Sequence, residues 1–322
     1  MNYRKVCVVG PGAIGGMMAV MLERAGFEVS ALARPKKASA INSRGITLLY
    51  KGETLNARPK ASSDPAELGL QDLVIVTLKS NALVSVAPHL KPLCKVDTPL
   101  VMAMNGVPWW FFDDFGGNLS GTPLNSVDPD GVLSQLIPRE QLIWAVITCS
   151  VSDLQDGTLE HTHGQGLTLG RPTDHPAGVE VVADVLRQAN YKCAISGSIR
   201  QDIWSKLLAN VSLNPISALG MAMCNEVLED PLVRECVKAV AEEAQAVANC
   251  LGLDSDLSII DRMRDARVKT SMLQDLERGR PLELGSIIEA VVEIAEHTNV
   301  PVPQLRAILG LMRLRAKTAG LT

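Results

Sequence analysis

The chain has 322 residues, 47% of them hydrophobic but only 3% aromatic, which is enough apolar material for two domains with mainly aliphatic cores. A formal net charge of -4, from 31 Lys+Arg against 35 Asp+Glu with no long like-charge run, argues against a nucleic-acid partner. Seven cysteines, scattered singly and odd in number, fit reduced thiols in a cytoplasm and not a disulfide framework.

The first element raises a choice. Val6 to Leu22 carries no charge and follows Arg4 and Lys5, as a secretion signal would. However, Gly10, Pro11, Gly12, Gly15 and Gly16 interrupt the front half, which opposes both a signal helix and a membrane span. A phosphate-binding turn accounts for those residues. Lys5–Val9 reads as a buried parallel strand and Ala13–Ala25 as a helix, with G-x-G-x-x-G between them at Gly10, Gly12 and Gly15. Gly10 permits the tight turn, Gly12 lets a pyrophosphate approach the backbone, and Gly15 lets the helix pack close to the strand. The helix N-terminus offers its N–H groups to the phosphates, so Gly10, Pro11, Gly12, Ala13, Ile14 and Gly15 are the expected cofactor cradle.

The strand Phe27–Leu32 selects the dinucleotide. A dinucleotide fold that takes NAD carries an acid at its end for the ribose 2′-OH. Here Ala33-Arg34 follows, with Lys36 and Lys37 beyond, so Arg34 is expected to clamp a 2′-phosphate and the cofactor to be NADPH/NADP+.

Asp72–Leu78 and Pro99–Met104 read as further strands, with a helix-like Ala82–Leu90 between them. Lys79 and Asn105 stand at the carboxyl ends of these strands, where doubly wound sheets bind ligands. Each also suits a bland role, as a surface lysine and as an Asn-Gly turn residue. The segment GVPWWFFDDFGG then concentrates two of the four Trp and three of the four Phe, and is expected to form a lid, a pocket wall or a partner surface. Gln141–Val151 reads as a strand, and Thr158–Thr162 with Gly166–Leu169 as a hairpin. His161 and His163 share a face there, but nothing completes a metal set, so no metal is expected.

From about residue 198 the texture is helical. The expected division is a Rossmann-type α/β domain with a doubly wound sheet over residues 1–197 and an all-helical domain over 198–322. Lys206, Asn210 and Asn214 recur every four residues within an apolar stretch, forming one polar stripe. Pro215 suggests a kink or stop beside Asn214. The helices Asp230–Cys250 and Ile287–His297 suit packing on one another or on a second subunit, as in a homodimer.

These residues resemble the ketopantoate reductases (2-dehydropantoate 2-reductases). The likeness rests on the N-terminal G-x-G-x-x-G, on VTLK ending at Lys79, on Asn105-Gly106, on K-x-x-x-N-x-x-x-N-P from Lys206 to Pro215, and on SMLQDLERGRPLEL from Ser271 to Leu284. The resemblance implies a Rossmann domain and a helical domain with NADPH and a 2-keto acid in the cleft between them. It implies that Lys206 is the proton donor and that Asn210, Asn214 and Ser271 contact substrate. It puts Asn105 near nicotinamide and substrate, and Glu283 near the nicotinamide ribose and the reacting centre; a further family asparagine corresponds to Asn225, one residue out of step.

The chemistry supports that assignment independently. Hydride addition to a keto carbon leaves charge on its oxygen, which a proton-donating cation stabilises and then neutralises. The expected reaction is reduction of a 2-keto acid, with 2-dehydropantoate to pantoate, a step of pantothenate biosynthesis, as the leading case. The aromatic segment leaves open a paralogue acting on a bulkier keto acid. A β-hydroxyacid dehydrogenase relative and a non-catalytic NADPH sensor also fit parts of the pattern.

Overall fold

The computed structural model describes residues 3–154, 157–173 and 178–321. The chain divides into two units: residues 1–104 with 133–199, and residues 105–132 with 200–322.

The first unit is built on a mixed sheet of ten strands among the described residues. They are β1 (Lys5–Val9), β2 (Glu28–Leu32), β3 (Ile46–Tyr50), β4 (Glu53–Ala57), β5 (Lys60–Ser62), β6 (Leu73–Val76), β7 (Leu100–Met102), β8 (Leu142–Asp153), β9 (Thr158–Gly170) and β10 (Lys192–Ile195). Six strands run parallel in the order β5-β2-β1-β6-β7-β8, the doubly wound arrangement of dinucleotide-binding folds. The order reverses between β1 and β6. Strand β9 then pairs antiparallel with β8 and extends the sheet through β3 and β4, with β10 also on β9. Helices α1 (Ala13–Arg24), α2 (Pro35–Arg44), α3 (Ser80–Val86), α4 (Val132–Leu136) and α5 (Val179–Gln188) accompany these strands. Four residues of each of β1, β2 and β6 are buried, apolar throughout in β1 and β6 and with Ser30 in β2, as a sheet covered on both faces requires.

Two sequence expectations change here. The predicted hairpin over 158–169 is one strand, β9, with its irregularity taken up by register shifts around Thr148 to Val151 of β8. The predicted helix 82–90 is the shorter α3, Ser80–Val86, followed by tighter turns at Ala87–His89 and Lys91–Leu93.

The second unit is helical: α6 (Ile199–Gly220), α7 (Cys224–Glu229), α8 (Pro231–Cys250), α9 (Ser258–Arg262), α10 (Ser271–Glu277), α11 (Ala290–Thr298) and α12 (Pro303–Thr318). Only Ile199, the first residue of α6, groups with the sheet. Helix α8 supplies a spine of small and β-branched residues, Val237, Val240, Ala241, Ala244, Val247 and Ala248, all buried. Asp230 caps its start through Leu232 and Val233. A π-helical turn, Gly285–Glu289, precedes α11.

The aromatic segment belongs to this unit. The contiguous 1–197 division therefore differs from the observed one by residues 105–132, and by residues 198–199 at the boundary. Trp110, Phe111 and Phe112 are fully buried, and the two phenylalanines join Trp204 in the helical core, with the Phe111 and Trp204 rings 5.8 Å apart. The expected lid, pocket wall or partner surface is thus largely core at these positions. Arg200, one turn before Trp204, holds the segment: its guanidinium donates to the Phe111 carbonyl at 2.7 Å and to that of Asp113, and lies over Trp110 and Phe115.

Candidate active site

In the first unit, the glycine turn sits where the sheet order reverses. Gly10 takes a φ of +83° and its N–H donates to the Leu32 carbonyl at the end of β2. The Gly10 carbonyl accepts from the Gly12 N–H at 2.7 Å and from the Thr77 hydroxyl at 2.7 Å. Thr77 directly follows β6, so its side chain closes the turn from the other side of the reversal. A Cβ on Gly15 would strike the Thr77 hydroxyl and lie 2.6 Å from the Gly10 carbonyl oxygen, so this glycine is fixed by packing. Gly12 is different. A Cβ there would meet only the Gly10 oxygen, at 3.9 Å, so the space beside it is open to a ligand. Helix α1 begins at Ala13 with no side-chain cap and no acid in its first turn. Its N-terminal N–H groups therefore face an approach suited to a pyrophosphate, which is the fit required of a dinucleotide.

Arg34 immediately precedes α2, is exposed, and stands two residues beyond the carbonyl that receives Gly10. That is where a ribose 2′-phosphate partner is needed, and no acid occupies it. Lys79 immediately precedes α3 and is half-buried.

In the second unit, the Lys206 ammonium donates to Oδ1 of Asn105 at 2.6 Å, joining residues 101 apart in sequence. Lys206 and Asn210 are half-buried on α6, and Asn214 is 5% exposed. The stripe is therefore not a solvent-facing one. Of the expected kink or stop, the stop does not occur: α6 runs through Pro215 to Gly220. Nδ2 of Asn214 and Oδ1 of Asn225 are both buried without a hydrogen-bond partner. Such groups cost free energy unless a ligand or water satisfies them, so a donor and an acceptor stand ready for a polar molecule.

Ser271 opens α10 and is exposed, whereas Thr270 before it is buried and caps the helix through Leu273 N–H at 3.2 Å. Glu283 is 8% exposed and lies just before the π-helical turn. That turn also receives the Asn105-Gly106 loop: the Val107 N–H donates to the Ser286 carbonyl at 2.8 Å. The Glu293 carboxylate further along accepts from the backbone N–H groups of Asn125 and Ser126. Sequence reading passed over Thr77, Arg200, Ser286 and Glu293. Of these, Arg200 carried a signal, at i, i+4 to Trp204; the others act on backbone groups distant in sequence. No group of three or more His, Cys, Asp or Glu able to hold a metal occurs among the described residues. No described helix is long and apolar enough to cross a membrane.

Comparison with known proteins gives the geometry its context. The model of ketopantoate reductase PanE/ApbA matches residues 6–108, and that of its C-terminal domain matches residues 198–316. The chain belongs to the ketopantoate reductase family. A 2-dehydropantoate 2-reductase of Mesorhizobium japonicum is 36% identical over 98% of this chain and 99% of its own. A crystal structure of a candidate ketopantoate reductase from Ralstonia solanacearum MolK2 superposes with a TM-score of 0.94 at 38% identity, covering all of both chains. D-mandelate dehydrogenase, solved with NADH and anilino(oxo)acetate, shares the fold with a TM-score of 0.83 at 18% identity, over 99% of this chain and 100% of its own.

As a ketopantoate reductase family member, the protein is an NADP-dependent oxidoreductase acting on a CH–OH group, with NADPH/NADP+ as cofactor. That sets aside a non-catalytic sensor. The open cradle at Gly12, the uncapped α1 and the cationic end of β2 suit that cofactor.

Proposed function

We propose that the protein reduces 2-dehydropantoate to pantoate, with Lys206 as the proton donor. The observation that carries this reading is the hydrogen bond from Lys206 to Asn105 on a helix that also presents Asn210 and Asn214. Bound NADPH supplies the hydride. Asn105 accepts one of the three ammonium N–H bonds and holds the chain in one orientation. As charge builds on the keto oxygen, the ammonium stabilises it and then transfers its proton. Asn210 and Asn214 hold the keto acid through amide donors without adding charge. The substrate has carboxylate and keto acceptors for Nδ2 of Asn214, and a hydroxyl donor for Oδ1 of Asn225, the two buried atoms that lack partners. We assign Ser271 to the substrate as well, and Glu283 to the reacting centre and the nicotinamide ribose. On the cofactor, Gly10 to Gly15 take the pyrophosphate, Arg34 the 2′-phosphate and Asn105 the nicotinamide side, and Lys79 is assigned to the cofactor as well.

A bulkier 2-keto acid is a weaker reading, because the aromatic segment that suggested it has Trp110, Phe111 and Phe112 fully buried. We further infer a cytoplasmic enzyme, in keeping with seven free cysteines, and a homodimer formed through the helical unit. A Staphylococcus aureus ketopantoate reductase of the same fold is described as dimeric, and Leu311 and Leu314 are exposed on α12.

The test is NADPH oxidation with 2-dehydropantoate, for wild type and Lys206→Ala together. Efficient turnover that falls by roughly 10²–10⁴-fold in the variant, with NADPH binding retained, supports the reaction and its acid. Absence of turnover by NADPH-bound wild type removes this substrate. Oxidation of 3-hydroxy acids in its place would favour a β-hydroxyacid dehydrogenase.

A further inference from the structure

The end of α6 and the start of α7 are fastened to the segment leading into α10, α7 by its backbone and α6 by a side chain. The Cys224 N–H donates to the Val268 carbonyl at 3.0 Å, and the Asn225 N–H to the Ala266 carbonyl at 3.1 Å. Beside these bonds runs a chain of hydroxyls. The Leu273 N–H donates to Thr270 Oγ1 at 3.2 Å, the Thr270 hydroxyl donates to Ser217 Oγ at 3.2 Å, and the Ser217 hydroxyl donates to the Ala222 carbonyl at 2.6 Å. Each hydroxyl gives one proton and accepts one, so the chain has a single direction. Ser217 is fully buried and Thr270 is 7% exposed, so bulk water is poorly placed to replace either partner.

We propose that Ser217 and Thr270 are positioning residues for substrate binding, setting Asn214, Asn225 and Ser271 through one hydrogen-bonded network. The inference rests on the substrate roles proposed above. Asn214 needs support from outside the helical ladder, because Pro215 has no N–H to give to the Val211 carbonyl. Ser217, three residues further on, anchors that weakened turn. Asn225 is held by its backbone bond to Ala266. Ser271 directly follows Thr270, whose hydroxyl fixes the start of α10. Neither hydroxyl is assigned a contact with substrate.

The experiment compares Thr270→Val, Thr270→Ser and Ser217→Ala with Ser271→Ala and Asn225→Ala in the full chain. It measures kcat, KM for 2-dehydropantoate, NADPH affinity by fluorescence, and thermal unfolding. Thr270→Val and Ser217→Ala should raise KM roughly tenfold with a smaller change in kcat, leave NADPH affinity unchanged, and be matched by near-wild-type behaviour of Thr270→Ser. If Thr270→Val is too unstable to assay, Ser217→Ala carries the comparison. A loss of thermal stability with KM unchanged would overturn the positioning role. So would equal impairment of Thr270→Ser and Thr270→Val. If Ser271→Ala and Asn225→Ala leave KM unchanged, the substrate roles fail and the positioning role falls with them. If those two raise KM while Thr270→Val and Ser217→Ala do not, the positioning role alone fails.

Discussion

Gly106 presses against the π-helical turn at Ser286 with no room for a side chain. Its φ is +84°, and a Cβ would lie 2.5 Å from the Ser286 carbonyl oxygen and 2.6 Å from the Ser286 Cβ. The Asn105 that pairs with Lys206 is the preceding residue. Gly106→Ala must therefore shift the loop or the turn, at a cost of about 1–3 kcal/mol. Because the displaced group is the partner of Lys206, kcat should fall by about tenfold or more, beyond what the lowered melting temperature explains. Steady-state kinetics at a temperature where the variant is fully folded make the check. Unchanged kcat would mean that the loop relaxes without moving Asn105.

The two inner glycines of the phosphate turn predict opposite behaviour. Gly12 has a φ of -79° and free space around its Cβ direction, so Gly12→Ala should fold with stability within about 1 kcal/mol of wild type. It should nevertheless weaken NADPH binding by about tenfold or more, because the methyl enters the space left for the pyrophosphate. At Gly15 the methyl meets the Gly10 carbonyl and Thr77, so Gly15→Ala should destabilise the fold by about 1–3 kcal/mol. Urea unfolding and NADPH titration of both variants separate the cases. Equal loss of stability in the two would contradict the assignment of Gly12 to ligand.

How far these features were legible depends on their range. The glycine turn was readable because its apolar strand, glycines and helix are contiguous. The strand pair Ile46–Tyr50 and Glu53–Ala57 is joined by Lys51 and Gly52, which both take positive φ, as a two-residue hairpin turn requires. Lys-Gly is a weaker cue than Asn-Gly, and this hairpin is spliced onto a parallel sheet through β9. In the opposite direction, residues 163–165 separate the two strands expected at Thr158–Thr162 and Gly166–Leu169 but lie within a continuous β9. Pro215 looked like a stop because the local rule is steric, whereas the surrounding helical core keeps α6 continuous. The Lys206 stripe was visible as a period. Its pairing with Asn105, and the support of that loop by Ser286, depend on contacts over 100 residues or more that no local pattern encodes.

Arg34 provides a test of cofactor choice. It is exposed where β2 gives way to α2 and has no acid beside it in sequence. A charge-assisted bond to a 2′-phosphate contributes about 1.5–3 kcal/mol. Arg34→Ala should lower kcat/KM for NADPH by about tenfold to a hundredfold and leave NADH, which lacks that phosphate, nearly unaffected. An equal fall with both cofactors would assign Arg34 to the fold and not to the phosphate.

Acid sensitivity should concentrate at Asp72, which ties the starts of β1 and β6. Its carboxylate accepts from the Arg4 and Lys5 N–H groups at 3.0 and 2.9 Å, and from the Lys95 ammonium at 2.8 Å. The hydrogen bond from Lys95 holds the carboxyl at about 2, below the ordinary 3.8. A carboxyl depressed in the folded state contributes its stability above the unfolded value and loses it as pH falls through the folded one. The contribution is therefore complete above about pH 4 and disappears towards pH 2. Solvent screening at this partly exposed pair limits it to about 1 kcal/mol. Asp72→Asn should thus be less stable than wild type by about that amount at neutral pH, and the two should converge as the pH approaches 2. Urea midpoints at several pH values measure the difference. A gap that stays constant down to pH 2 would show that the aspartate acts through shape and neutral hydrogen bonding, and not through its charge.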